Sequence, residues 1–197
     1  MRKSYLFIAI VVSLLLVGCN HTEDSTINEN TEPTIVYPSR MTYSLRELTK
    51  EAEIIAELTV TELVEVIEVE HHEFFTQEHS VYKATVNNYL HNELGYDDEI
   101  EVLQVGGPNW RYSDDPLLEI GETYLLFLDN REDPNLGTNL VMTGGPTGRF
   151  NKIDDVYVRQ LGHTGEGNLS RLTIQDLGKA INDVSEEINI DLSILEE

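Results

Sequence analysis

The chain has 197 residues, of which 36 are acidic and 13 basic, giving a formal charge of -23, and it contains one cysteine. A surface this negative repels phosphate backbones and argues against nucleic acid as a partner. A lone cysteine excludes an intrachain disulfide framework and a cysteine-type zinc site, and the length suits one domain with a substantial core rather than two.

Arg2 and Lys3 precede an apolar run over residues 5–17, which ends in Leu16-Val17-Gly18-Cys19. A bilayer span needs about 20 apolar residues, so a run this short behind a positive flank reads as an export signal. The Leu-Val-Gly-Cys tetrad resembles the lipobox of bacterial lipoproteins. That resemblance implies cleavage before Cys19, acylation of its sulfur with palmitate-type chains, and a protein held by lipid on the extracytoplasmic face of the cell membrane. Residues 1–18 are then a signal peptide, and loss of Arg2 and Lys3 deepens the charge to -25. Residues 19–33, rich in Thr, Glu, Asn, Asp and Ser, have the composition of a flexible polar tether. A single β-rich domain over residues 34–197 follows.

Ser44-Leu45-Arg46-Glu47 has the spacing of a capping box, and Leu45, Leu48 and Ala52 fall on one face, so a short helix is expected over residues 45–52. From residue 54 the period becomes two. Ile54, Ala56, Leu58 and Val60 share the more apolar face of a strand, and the slip at Val66-Ile67 predicts a bulge. Further strands are expected over residues 79–89 and 100–105, the latter stopped by Gly106-Gly107-Pro108. The run Thr123-Tyr124-Leu125-Leu126-Phe127-Leu128 reads as a strand covered on both faces. Short strands follow near residues 140–143 and 156–158, then a loop over residues 162–167. Thr173 with Asp176 predicts a helix to about residue 181, and the alternation of Ile188, Ile190, Leu192 and Ile194 suits a terminal strand as well as a helix.

The succession of a helix over residues 45–53, Ile54-Ile55-Ala56-Glu57-Leu58-Thr59-Val60-Thr61-Glu62, Val81-Tyr82-Lys83-Ala84-Thr85-Val86, Ile100-Glu101-Val102, Gly106-Gly107 and the 121–128 segment resembles small extracellular β-barrels of the netrin-like and metalloprotease-inhibitor type. The resemblance implies a mainly β, OB-like barrel with a short N-terminal helix and a C-terminal helical appendage. It implies no protease inhibition, because the free N-terminal cysteine and the disulfides of those domains have no counterpart here.

His71, His72 and His79, with Glu73, form the densest set of metal-ligand types, on what reads as a hairpin. A polar hairpin tip accounts for the same residues, and no cofactor is expected. Acids at Asp97-Asp98-Glu99, Asp114-Asp115 and Asp129-Glu132-Asp133 do not follow the calcium-loop pattern and read as solvated. Trp110, Arg111 and Tyr112 combine aromatic area with a cation and are the candidate ligand-binding loop; Trp110 is equally suited to plugging an open barrel end. No nucleophile elbow, phosphate loop or flanking carboxylate pair is present, so catalysis has no motif behind it. The expected role is a non-catalytic binding module of the cell envelope, for an envelope protein or glycan. The alternatives are a structural or assembly factor, and a metal-dependent enzyme requiring His72, His79 and an acid to converge.

Overall fold

The computed structural model describes residues 32–39, 42–72, 75–159, 171–173, 175, 177–179 and 183–184, all within one compact unit, Glu32–Glu197. The export signal, Cys19, most of the tether, the expected loop over residues 162–167 and the 188–194 segment lie outside the described residues. Among the described residues no helix is long and apolar enough to cross a membrane.

The chain is mainly β. Strands β1 (Thr34–Val36), β2 (Ile54–His72), β3 (Phe75–Asn92), β4 (Glu99–Val105), β5 (Trp110–Tyr112), β6 (Thr123–Asp133), β7 (Gly137–Met142), β8 (Arg149–Ile153), β9 (Val156–Val158) and β10 (Arg171–Thr173) are accompanied by a short helix, α1 (Leu45–Glu51), and a 3-10 turn, Gly145–Gly148. Eight strands form a large sheet in the order β10-β9-β8-β6-β2-β3-β4-β7, and β6 also pairs with β7. The pairings β6–β2–β3–β4–β7–β6 therefore return to their starting strand. All are antiparallel except β4–β7, where Val102 faces Leu140 and Leu103 faces Val141 in parallel register.

Period-two alternation sends each strand's apolar residues to two places. Ile54, Ala56, Leu58 and Val60 of β2 meet Tyr124, Leu126 and Leu128 of β6, Tyr82 and Ala84 of β3 and Val102 of β4 in one cluster. The opposite face of the same strands, with Ile55, Leu125 and Phe127, packs in a second cluster against Leu45 and Leu48 of α1, Phe150, Tyr157 and Leu172. This explains the unbroken apolar run of β6, since Tyr124 to Leu128 are each at most 2% exposed.

Helix α1 begins where the spacing placed it. Ser44 Oγ accepts from the Glu47 amide, and Glu47 Oε2 accepts from the Ser44 amide at 2.7 Å. The helix does not lead the domain, because β1 precedes it. The expected C-terminal helical appendage is not a described element: only Gln175 and Leu177–Lys179 are helical among the described residues there.

Strand β2 runs on past Glu62 to His72, as the slip at Val66-Ile67 within one long strand implies, and is paired with β3 to its end. Its register against β3 shifts at Ile55/Ala56, Glu57/Leu58, Val60/Glu62, Leu63/Glu65 and Glu70/His72 rather than at Val66-Ile67. Strand β6 accompanies β2 only over Ile54–Thr59, so from Glu62 onward β3 is its one strand partner among the described residues. Exposed Glu62, Glu65, Glu68 and Glu70 line this arm, and charges on a free edge oppose pairing with another chain.

Four tyrosines make the fold sensitive to alkaline pH. Burial raises the hydroxyl pKa of Tyr82, Tyr124 and Tyr157, and pushes that of Tyr89 up to about 12. For Tyr157 a hydrogen bond adds to the effect: its hydroxyl donates to Glu57 Oε2 at 2.5 Å, and Lys152 Nζ lies 2.8 Å from the same oxygen. The folded chain thus keeps protons that the unfolded chain releases near pH 10. Their stabilising contribution is complete below pH 10 and is lost as pH rises through the elevated folded values. Urea midpoints are expected to fall steeply above pH 10, and less steeply in Tyr157→Phe; equal slopes in the two proteins would contradict this.

Candidate functional site

On one side of the strand cycle the inner ends of β3 and β4 meet the β6–β7 hairpin around a cleft of about 520 Å³. Its apolar lining comes from Leu103 of β4 with Val141 and Met142 of β7, alongside Tyr43 and Tyr112. Gly144, at φ +66°, admits Tyr43: a Cβ there would lie 2.7 Å from the tyrosine ring and 2.5 Å from Thr147 Oγ1.

His79 reaches this cleft from β3. It is 6% exposed, and its Nδ1 makes no hydrogen bond. Burial lowers its pKa, against the opposing influence of the Asp133 carboxylate and the Gln77 carbonyl, so the ring is neutral at pH 7. Asp133 lies across the cleft at the end of β6. Its Oδ1 accepts from the Asn135 and Leu136 amides at 2.7 and 3.1 Å, which fixes the carboxylate. Arg131, on the same hairpin, is 61% exposed and bonds Asp129 Oδ2 at 3.0 Å.

A buried polar network closes the cleft from behind. Gln104 Nε2 donates to Asp115 Oδ1 at 2.8 Å and to the Pro116 carbonyl at 3.0 Å, while its Oε1 accepts from the Leu118 amide. Arg149 Nη1 donates to the Pro116 carbonyl and lies 3.5 Å from Asp115 Oδ1, with both side chains 3% exposed or less. Asp115 is therefore not the solvated loop acid that the Asp114-Asp115 pair suggested.

The candidate ligand loop is a strand. Trp110, Arg111 and Tyr112 form β5, paired in parallel with Thr34, Ile35 and Val36 of β1. Trp110 is 6% exposed and packs edge-on against Phe75 and Tyr112, with ring centroids 5.9 and 4.9 Å away, so it offers no open contact surface. Neither apolar cluster contains it. Of the three residues only Tyr112 lines the cleft, where its hydroxyl accepts from Gln77 Nε2 at 3.4 Å. Arg111 faces a separate depression with Pro116 and Leu117.

Glu78 holds this strand in place. Its carboxylate accepts from the Asn109 amide and side chain and from the Trp110 amide at 2.8, 2.9 and 3.1 Å. Gly107 permits the approach, because a Cβ there would lie 2.3 Å from Glu78 Oε2.

Strand register separates His72 from His79 along the hairpin. His72 pairs with Phe75 and His79 with Ile67, so His72 and the partner of His79 stand five residues apart on β2, roughly 15 Å at the rise of a strand. His71 stacks on Phe75 and its Nε2 lies 3.0 Å from Gln77 Oε1. Among the described residues no three His, Cys, Asp or Glu side chains are placed to hold a metal ion. Sequence reasoning missed Gln104 and Arg149, and the roles of Asp115 and Asp133. The one available signal was a glutamine in an otherwise apolar strand end, Val102-Leu103-Gln104-Val105. No protein-family model matches the chain, and no curated protein matches it.

Proposed function

We propose that this protein is a membrane-anchored extracytoplasmic lipoprotein, tethered through acylated Cys19, whose folded unit is an OB-like, netrin-like barrel serving as a non-catalytic binding module of the cell envelope. The closed cycle of five pairings, with its single parallel step, supports the barrel. The binding role rests on the cleft: an apolar lining with a small number of converging polar groups is the usual make-up of a ligand site. The tether would hold that cleft off the lipid surface, and the acidic exterior would keep the domain from anionic headgroups.

Two measurements test the two halves. Expressed in bacteria with its own leader, the protein is expected to incorporate labelled palmitate and sediment with membranes, and Cys19→Ala to do neither; an unlabelled wild type sinks the anchor. For the cleft, the ¹³C methyl resonance of Met142 is expected to move with members of a panel of small amphiphiles, and Val141→Trp, which fills the space, to abolish the response.

A further inference from the structure

The charges around the cleft do not cancel evenly. Arg149 offsets Asp115 from behind, and Asp129 offsets Arg131 at the rim. Asp133 takes two amide hydrogens but has no ion pair among the described residues, leaving the cleft one net negative charge. Opposite stands His79, 94% buried, neutral, with Nδ1 unsatisfied. A buried nitrogen without a partner is costly, and a ligand donor removes the cost.

Resting on the cleft reading above, we propose that the cleft binds a small organic ammonium ion with a short apolar chain, the ammonium seated between Asp133 and His79 and the chain lying over Leu103, Val141 and Met142. An ammonium carries three donors and no acceptor. One satisfies the Asp133 carboxylate, a second reaches His79 Nδ1 once the ring has turned that shielded nitrogen toward the cleft, and a third remains for water at the mouth. A neutral imidazole presents such a nitrogen without repelling the cation, which a protonated one would do. Tyr43 and Tyr112 also line the cleft. The acidic exterior of the whole chain concentrates cations and depletes anions near the opening. An anionic ligand would have to rely on Arg131, which is exposed and already engaged by Asp129.

The full lipidated chain in neutral phospholipid nanodiscs, labelled with ¹³C at the methionine methyls, is titrated with three probes: pentylammonium, pentanol and pentanoate. Met142→Leu assigns the resonance, and empty nanodiscs give the partitioning control. Pentylammonium is expected to shift Met142 saturably and to bind at least about tenfold more tightly than pentanol, the difference a charge-assisted hydrogen bond makes. Asp133→Asn and His79→Phe are each expected to remove most of that preference, and Asp133→Glu to restore part of it in a protein of unchanged melting temperature. Equal binding of pentanol and pentylammonium, or a preference for pentanoate, would overturn the ammonium assignment while leaving the cleft as a binding site. A Met142 resonance that none of the three probes moves would overturn both.

Discussion

Asp115→Ala is expected to destabilise the protein by about 3–5 kcal/mol, the usual cost of removing one member of a buried ion pair. The loss exceeds the contact itself, because Arg149 would remain charged at 2% exposure with its Nη2 already lacking a partner. Gln104 Nε2 would also lose its shorter acceptor. Asp115→Asn keeps an oxygen for Gln104 and removes only the charge, so its loss is expected to be smaller. The double variant Asp115→Leu with Arg149→Met replaces the pair with apolar volume and is expected to recover much of the stability. Urea denaturation of the four proteins decides this: a double variant no better than Asp115→Ala would mean that the damage comes from displaced backbone around Pro116 and Leu118, not from the stranded cation.

Phe127→Ala is expected to cost about 3–5 kcal/mol, as full truncation of a buried aromatic does. Phe127 is wholly buried, and its ring lies 5.9 Å from that of Phe150, over which the Arg159 guanidinium stacks at 4.5 Å. Its neighbour Leu126 belongs to the other cluster, with Ile54, Ala56 and Leu58, and Leu126→Ala is expected to cost about 2–5 kcal/mol. Two adjacent residues of one strand would thus each be critical for a different core. Leu63→Ala, at a position 39% exposed on the β2 arm, is expected to change stability by no more than about 0.5 kcal/mol. A large effect at only one of positions 126 and 127 would show that one of the two clusters contributes little.

The run from Tyr124 to Leu128 made β6 legible because double-sided burial leaves no polar alternation, and the capping box at Ser44 and Glu47 is a local device that needs no distant partner. Strand β5 was not legible. Three residues carry no periodicity, and Trp110-Arg111-Tyr112 is extended because Thr34–Val36, more than seventy positions away, pairs with it. The site was legible only in fragments for the same reason. His79 stood out as a histidine, but Asp133 joins it through the β6–β7 turn, and Asp115 changes from loop acid to buried anion because Arg149 arrives from β8. Register also decided the fate of the histidine cluster: bulges in β2 set which residues face each other, and no residue count across the hairpin foretells them.

The order of the ladder carries a kinetic consequence. The long β2–β3 hairpin joins residues near in sequence and can form within microseconds, but closing the cycle requires Ile54 to meet Leu128, and the parallel β4–β7 step waits until β7 has been brought round. Until then the apolar half of β2, from Ile54 to Val60, has an open edge, and it carries only one acid, Glu57. The glutamates farther along line an edge that no other strand covers among the described residues; the stretch most prone to adhere to another chain is protected only by the speed with which β6 arrives. Slowing that docking, as Phe127→Ala should, would therefore lower the yield of refolded monomer at high protein concentration as well as the stability of the folded state.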